Sequence, residues 1–348
     1  MQILTTLPQD DLQEVPAAAR AAEAAGYDAI VATENQHDPF LALGVAAVNT
    51  ARVGLHTGIA IAFSRSPMPV ANVSWDLQVA SRGRFVLGLG SQVRAHNENR
   101  FSVPWSPPAP RLREYVEALR AIWRCWEKGE KLSYRGQHYK FTLMTPNFTP
   151  KSTHQPMVPI TIAAVGPAML RLAGEVCDGV RLHGFCTRRY VDEVVLRELR
   201  AGMMRGGRTR EQFEIVGGGF IATGPDDESV AKMVEWVRYR VAFYASTPAY
   251  WPVLGVHGLQ DLGQKLNVMS KAGLWDRMAA EVSDDVVRLF AAVGTHREIA
   301  CAIDRRFGGV SDAVALSGGY GMRQDIPPDL IQDIRRLPST FTGFRPGW

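Results

Sequence analysis

Residues 159–179 read P-I-T-I-A-A-V-G-P-A-M-L-R-L-A-G-E-V-C-D-G. The apolar run at 160–162 is typical of a strand, and apolar side chains at helical spacing follow Gly166 and Pro167. We therefore predict a strand, a turn in which Gly166 tolerates strain, and a helix that begins at Pro167. The first N–H groups of such a helix have no partner within it, and the helix dipole favours an anion there. The stretch predicts either a phosphate site or an ordinary strand-to-helix connection.

The same pattern of a strand followed by a helix recurs along the chain. Strand patterns occupy residues 1–6, 27–32, 53–62, 84–90, 160–162, 178–183, 213–222 and 312–316. Helical patterns occupy residues 12–25, 40–49, 67–81, 111–128, 169–176, 190–205, 226–244 and 295–307. This alternation is the signature of βαβ units on a parallel sheet. With eight strands and no Ser/Gly-rich linker, the sequence predicts a single α/β domain over residues 1–348, a closed (β/α)8 TIM barrel.

Three segments interrupt the repeat and are predicted to be loop insertions. Residues 91–110 are polar, proline-rich and aromatic, residues 129–150 include a hairpin pattern at 131–143, and residues 247–280 look irregular and aromatic. A long loop in a compact domain is usually functional or disordered.

The composition excludes several functional classes. Hydrophobic residues make up 46% and charged residues 21% of the 348, and the net charge is only +4. Lysines and arginines are scattered, so neither a nucleic-acid track nor a membrane-surface patch is indicated. No run of 18 apolar residues occurs, and the four cysteines form no C-x-x-C pair. We expect reduced thiols in a cytoplasmic protein.

In a barrel of this kind the active site lies at the carboxyl ends of the strands. Polar residues gather after the predicted strands, at positions 33–38, 56–59, 90–92, 96, 98, 164–169 and 183. The carboxylates and histidines among them have no metal-ligand spacing, so we expect no metal site. There is no G-x-S-x-G elbow, and Cys186 is the only cysteine at a clear strand end. The G-L-G-S at 88–91 is too short a fragment to predict nicotinamide binding.

Several motifs together resemble the bacterial luciferase-like superfamily. They are G-Y-D-A-I-V-A-T-E at 26–34, L-H-T-G-I-A-I-A-F-S-R-S-P at 55–67, L-Q-V-A-S-R-G-R-F-V-L-G-L-G-S at 77–91, I-A-A-V-G-P-A-M-L-R-L-A-G-E-V-C-D-G at 162–179 and V-G-T-H-R-E-I at 293–299. The resemblance covers almost the whole chain in the right order. It implies a flavin-dependent monooxygenase or a deazaflavin (coenzyme F420) dependent oxidoreductase. Family members are commonly dimers, so we expect a homodimer or a higher homo-oligomer.

The resemblance also implies which residues hold the cofactor. The family's non-prolyl cis peptide in the third strand matches the bond between Gly58 and Ile59. The family's cofactor phosphate binds after the fifth strand, which makes the anion at Gly166 the single phosphate of a flavin-type cofactor. The cofactor-binding residues implied are Thr57, Gly58, Ile59, Gly90, Ser91, Ala164, Val165, Gly166, Pro167, Ala168 and Met169.

The acid or base is less well defined. Sugar-phosphate and alcohol-oxidising relatives carry an Asp-His pair where this chain has Glu34-Asn35, which argues against sugar-phosphate oxidation. Glu34 and Glu98 are the first candidates for the acid or base. His183 is a further candidate, as are His37 and His96, because histidine titrates near neutral pH.

The leading hypothesis is hydride transfer between the cofactor and a small, mostly apolar organic substrate. The Gly-Ile step favours coenzyme F420 over FMN. An aromatic roof over the pocket is expected from Phe101, Trp105, Tyr250, Trp251 and Trp275, although these residues could equally form an oligomer interface. The alternatives are a monooxygenase that uses reduced FMN and O2, a metal-assisted barrel hydrolase, and a non-catalytic flavin-binding protein.

Overall fold

Eight parallel strands close into a barrel in the computed structural model, which describes residues 1–316, 326–345 and 347. The strands are β1 (Gln2–Thr6), β2 (Ala29–Ala32), β3 (Gly54–Thr57, resuming at Ala60–Ile61), β4 (Phe85–Gly90), β5 (Ile160–Ala164), β6 (Gly179–Leu182), β7 (Glu214–Gly217) and β8 (Ala313–Ala315). Each strand pairs with the next, and β1 also pairs with β8. The sheet therefore has no free edge, and the predicted TIM barrel is confirmed.

Helices cover the outside of this barrel. They are α1 (Val15–Ala25), α2 (Pro39–Asn49), α3 (Pro67–Ala80), α4 (Pro108–Lys128), α5 (Pro167–Val176), α6 (Leu196–Arg205), α7 (Asp227–Ala245), α8 (Ile299–Phe307) and α9 (Pro328–Arg335). The longest, α4, buries an apolar face at helical spacing that includes Leu112, Tyr115, Leu119 and Trp123, all fully buried. Burial of this face, together with proline in the first turn, explains why the segment is helical.

The insertions have more structure than the sequence predicts. Residues 91–110 contain a short helix, Arg94–Asn99, and the start of α4. The predicted hairpin is confirmed by the antiparallel pair Tyr134–Arg135 and Lys140–Phe141. The irregular structure predicted for 247–280 is wrong, because this segment is largely helical. Its helices are Trp251–Gly255, Gln260–Lys271 and Trp275–Met278, and Asp284–Phe290 follows them. The helix Gln260–Lys271 buries only Gly263 and Leu266, which is too sparse an apolar pattern to identify it.

The single seventh strand predicted over residues 213–222 is also wrong. The barrel strand β7 ends at Gly217, and Gly217 and Gly218 take φ values of 77° and 111° that favour glycine. The chain then forms a second strand, Phe220–Gly224, which pairs in parallel with Ala291–Thr295 outside the barrel. Because residues 291–295 are a strand, α8 begins at Ile299 instead of the predicted residue 295.

The four cysteines are free thiols, of which Cys301 is exposed and the other three are buried. Burial raises the pKa of Cys177 and of Cys186 to about 12, so both thiols are protonated at neutral pH. Cys186 therefore lacks the thiolate that a nucleophile requires. In the described ranges, no helix combines the length and the apolar character needed to cross a lipid bilayer.

An arginine lies inside the barrel, where most side chains are apolar. Arg181 of β6 is buried, and its guanidinium donates from Nη2 to Nδ1 of His56 over 2.8 Å and from Nε to Oγ1 of Thr161 over 3.1 Å. His56 must accept at Nδ1, so it is neutral with its proton on Nε2. Burial and the arginine charge both lower the pKa of His56 well below its ordinary value, in agreement with this assignment.

Glu214 of β7 places a carboxyl group inside the barrel as well. Its side chain is 1% exposed, and its Oε2 has no hydrogen-bond partner among the described residues. Burial raises the pKa of Glu214 to about 7, although the charge of Arg181 acts in the opposite direction. The carboxyl group therefore changes charge near neutral pH inside the barrel.

We expect the free energy of unfolding of the native chain to fall as pH rises, and Glu214→Gln to abolish this fall. A carboxyl whose pKa rises on folding, here from 4.5 to about 7, stabilises the fold fully at low pH, and this contribution is lost as pH rises through the folded value. Between about pH 5 and pH 8 the free energy of unfolding of the native chain should fall by about 2–3 kcal/mol relative to the variant. Urea denaturation over this range measures the difference, and parallel curves for the two proteins would contradict it.

Candidate active site

The third strand is interrupted at the carboxyl end of the barrel. The peptide bond between Gly58 and Ile59 is cis, as the resemblance implies, and the register between β3 and β4 shifts by one residue across it. The N–H of Gly58 donates to the carbonyl of Ala32 over 2.8 Å, and the carbonyl of Ile59 accepts from the N–H of Glu34 over 3.2 Å. The interrupted segment is therefore tied to the end of β2.

Two glycines make room for this interruption. A Cβ on Gly58 would lie 2.2 Å from Cγ1 of Val31, and a Cβ on Gly90 would lie 2.6 Å from Cδ1 of Ile59. Any side chain at either position would collide with the neighbouring strand. Next to Gly90, the carbonyl of Ser91 accepts from Nδ2 of the buried Asn97 over 2.9 Å, which fixes the start of the following loop.

Thr57 ends β3 beside the interruption, and its hydroxyl bonds the backbone of Gly88. Its hydroxyl donates to the carbonyl of Gly88 over 2.7 Å and accepts from the N–H of Gly88 over 2.8 Å. The residue is fully buried. The hydroxyl therefore joins β3 to β4, and its proton and one of its two lone pairs are engaged there.

The amino end of α5 presents unpaired backbone donors. Pro167 begins the helix, no side chain caps it, and the N–H groups of Gly166 and Ala168 have no acceptor within the described part of the chain. The carbonyl of Val165 is fixed by the hydroxyl of Tyr190, 3.0 Å away. Among the neighbours, Ala164 is buried, whereas Pro167 and Ala168 are exposed and Met169 is partly buried.

The turn before α5 is not strained, so this part of the prediction is wrong. Gly166 has φ −81° and ψ 157°, an extended conformation that any residue adopts. A Cβ on Gly166 would meet no heavy atom within 4 Å. Neither backbone conformation nor packing against the protein requires glycine here.

Glu34 is engaged in a network that the sequence did not reveal. Both of its carboxylate oxygens accept from Nη1 of Arg65, over 2.8 and 2.7 Å, and one also accepts from the N–H of Ile61 over 2.6 Å. The same arginine donates from Nη2 to Asp38 over 2.7 Å. The Glu34 side chain is only 8% exposed. The carboxylate therefore holds β3 in place after its interruption, through Arg65 and the N–H of Ile61.

The other acidic and basic candidates lie apart from this network. Glu98 is on the short helix Arg94–Asn99 and pairs with Arg94 over 3.0 Å. His37 pairs with the exposed Asp10 over 3.0 Å, and His96 is exposed. Within residues 1–316, 326–345 and 347, no group of three or more His, Cys, Asp or Glu side chains could hold a metal ion.

His183 follows β6 and lies among aromatic side chains. Its ring centroid is 4.3 Å from that of Tyr244, in an edge-to-face arrangement, and 4.9 Å from that of Tyr250. Its Nδ1 accepts from the N–H of Phe185 over 2.9 Å. Burial, and to a smaller extent the charge of Arg240, lowers the pKa of His183 to about 4. The ring is therefore neutral at pH 7, with its proton on Nε2 as a hydrogen-bond donor.

A family model described as luciferase-like monooxygenase matches residues 2–311. The chain belongs to the luciferase-like monooxygenase family. An uncharacterized protein of Mycobacterium tuberculosis (strain ATCC 25618 / H37Rv) is 46% identical over 324 residues, which cover 91% of this chain and 95% of that protein. A 5,10-methylenetetrahydromethanopterin reductase of Archaeoglobus fulgidus is 29% identical over 288 residues, covering 80% of this chain and 82% of the reductase. The fold is similar to that of the coenzyme F420 dependent tetrahydromethanopterin reductase from Methanopyrus kandleri, with a TM-score of 0.77, 20% identity and coverage of 97% of each chain.

In this luciferase-like chain, the predicted aromatic roof is only partly assembled around the site. Tyr250 contacts His183, but Trp251 donates to the carbonyl of Ala245 over 2.9 Å and Trp275 packs on the surface against Phe243. Phe101 lies under the guanidinium of Arg100, and Trp105 is partly buried. The sequence missed Tyr244, which is the nearest ring to His183, because it ends a long helix that shows no other sign of function.

We expect nuclear magnetic resonance to show a neutral His183 down to about pH 5. Its pKa of about 4 lies below the ordinary 6.5 because burial disfavours the charged ring. Neutral His183 therefore contributes fully to the free energy of unfolding above pH 6.5, and this contribution is lost as pH falls toward 4. The buried carboxyl group of Glu214 gives the opposite pH dependence. The resonance is assigned by its disappearance in His183→Gln. A midpoint above pH 6 would contradict the buried, neutral assignment.

Proposed function

We propose that this chain is a coenzyme F420-dependent oxidoreductase that transfers a hydride between the cofactor and a small, mostly apolar organic substrate. The observation that carries the proposal is the uncapped amino end of α5, where unpaired N–H groups border open space at Gly166. The relatives support it: one is named as a methylenetetrahydromethanopterin reductase, and the enzyme with the similar fold is named as coenzyme F420 dependent.

The chain's groups fit a cofactor that carries a single phosphate. The N–H groups of Gly166 and Ala168 would donate to the phosphate, and the helix dipole favours its charge. Because a Cβ at Gly166 would meet nothing in the protein, this glycine leaves space that a ligand can use. We propose that the segment at Gly58 and Ile59, with Gly90 and Ser91, lies along the ring of the cofactor.

The cofactor, when bound, supplies the ring that accepts or donates the hydride. The chain supplies positioning and a dry site. Arg65 and Glu34 hold the strand end that carries Ile59, and the rings of Tyr244 and Tyr250 exclude water around His183. Neutral His183 would donate from Nε2 to a substrate oxygen or nitrogen, which makes it a better candidate for substrate contact than Glu34 or Glu98.

A monooxygenase that uses reduced FMN and O2 is the second candidate, because the family description names monooxygenases. The two cofactors differ in their reaction with oxygen, so a measurement of oxygen consumption separates the monooxygenase from the F420-dependent oxidoreductase. Oxygen consumption that depends on FMN and substrate would favour the monooxygenase.

Two other functions remain as outcomes of the same experiments. A chain that binds a divalent metal and neither cofactor would favour a hydrolase. Cofactor binding without turnover over a broad substrate panel would favour a flavin-binding protein.

We expect the purified chain to quench the fluorescence of coenzyme F420 in a titration, and Gly166→Val to weaken this binding at least tenfold. The valine would occupy the space assigned to the phosphate, while the open surroundings should leave the protein as stable as before. Affinity for the analogue that lacks the phosphate, or for riboflavin in place of FMN, should change much less.

Ala272→Val is the control, since this exposed residue follows the helix Gln260–Lys271 and lies on neither α5 nor α2. Failure of the native chain to bind either F420 or FMN would overturn the proposed function. An equal loss of affinity for the phosphorylated and unphosphorylated forms would overturn only the assignment of the phosphate to α5.

We also propose that the chain forms a homodimer, as the resemblance implies. Helix α2 has no charged residue, and it exposes Leu41 (61%) and Val48 (72%) on one face, seven residues apart. A twofold axis would place this face against its own copy.

We expect Leu41→Glu to shift the dimer toward monomer at micromolar concentration, because the twofold axis would bring two buried carboxylates together. Sedimentation velocity measures the change. Val268→Glu, at an apolar position that is 67% exposed on the helix Gln260–Lys271, should leave the dimer intact. A native chain that is monomeric would contradict the proposal, and so would a Leu41→Glu variant that dimerises as before.

A further inference from the structure

A cavity of about 470 Å³ lies at the end of the barrel opposite the candidate active site. Pro159 precedes β5, Asp178 precedes β6 and Gln212 precedes β7, so these lining residues mark the amino ends of three neighbouring strands. The amino end of α5 and His183 follow the carboxyl ends of two of the same strands. The five-residue strand β5 separates the two regions by roughly 15 Å.

Four arginines and one carboxylate line this cavity: Arg120, Arg124, Arg208, Arg345 and Asp178. Arg120 pairs with Asp178 over 2.9 Å, and this carboxylate oxygen also accepts from the N–H of Ile160 over 2.8 Å. Nε of Arg120 is buried without a partner among the described residues. Arg124 pairs with Glu130 over 3.4 Å, so the two charges without an ion-pair partner among the described residues are those of Arg208 and Arg345.

The guanidinium groups of Arg208 and Arg345 are held by neutral oxygens. Arg208 donates to the carbonyl of Glu175, and Arg345 donates to Oε1 of Gln212 over 2.8 Å and to the carbonyl of Gly207 over 2.6 Å. These contacts orient the arginines but do not cancel their charges. Burial lowers the pKa of Arg208, and the charges of Arg120 and Arg345 lower it further, which shows that the three cations are close enough to repel one another.

Apolar residues complete the wall of the cavity. Met157, Val158 and Phe344 line it beside the arginines. Its volume is in the range of pockets that hold small organic molecules. A ligand that suits this lining combines two or more negative charges, which guanidinium groups bind in bidentate fashion, with an apolar portion.

We propose that this cavity is a second anion site, which binds an organic diphosphate at the end of the barrel away from the cofactor. The site needs no residue of the candidate active site. A diphosphate can pair with Arg120, Arg208 and Arg345 together, and it would relieve the repulsion among them. The apolar wall would contact the organic group.

Isothermal titration calorimetry with ADP, inorganic pyrophosphate and adenosine tests this proposal on the full chain. ADP and pyrophosphate should bind, and their affinity should fall as salt increases. Adenosine should show no binding, because the charges provide most of the interaction. An ADP affinity higher than that of pyrophosphate is expected from the apolar wall. Binding of neither diphosphate at millimolar concentration would overturn the proposal.

The variants Arg208→Gln and Arg345→Gln should each weaken ADP binding at least tenfold. Arg124→Gln is a milder variant, since this side chain is 39% exposed and its ion pair with Glu130 spans 3.4 Å, so folding should be unaffected. It should weaken binding several-fold. Arg52→Gln is the control, because Arg52 is 76% exposed and lies outside the cavity. ADP affinity equal to that of the native chain in all three cavity variants would overturn the assignment.

Discussion

The buried guanidinium of Arg181 constrains the interior of the barrel. Removing a cation from water is costly unless hydrogen bonds and opposite charge replace the lost hydration. His56 and Thr161 supply the hydrogen bonds, and the nearby Glu214 can supply the charge. His56 must stay neutral for this purpose, which explains why a histidine near the candidate site is unsuited to proton transfer.

Two glycines border this guanidinium. A Cβ on Gly88 would lie 2.8 Å from Nε of Arg181 and 2.0 Å from the carbonyl oxygen of Thr57, so no larger residue fits there. A Cβ on Gly58 would point toward the same arginine at 3.8 Å. The arginine therefore lies directly under the interrupted part of β3. The barrel interior beneath the carboxyl end therefore combines this polar group with the apolar side chains of Leu4, Val31 and Val216.

The sequence was sufficient for features that depend on local pattern. Strand and helix periods predicted the barrel, and Gly166-Pro167 predicted the start of α5. Features that depend on distant partners were not predictable. Glu34 looked like a free acid because its partner Arg65 is 31 residues away, and the separation of β7 from Phe220–Gly224 was hidden within one apolar run. Likewise, the four arginines of the second cavity come from α4, from the loop before β7 and from the carboxyl-terminal segment, and no local pattern joins them.

The paired strands Phe220–Gly224 and Ala291–Thr295 have a consequence for the surroundings of His183. They hold the two ends of residues 225–290 side by side, with Phe220 opposite Ala291 and Gly224 opposite Thr295. This intervening segment can lengthen, shorten or be exchanged while its attachment to the barrel stays the same. It contributes Tyr244 and Tyr250 beside His183. A change in the length or sequence of residues 225–290 can therefore alter the surroundings of His183 without changing the barrel strands.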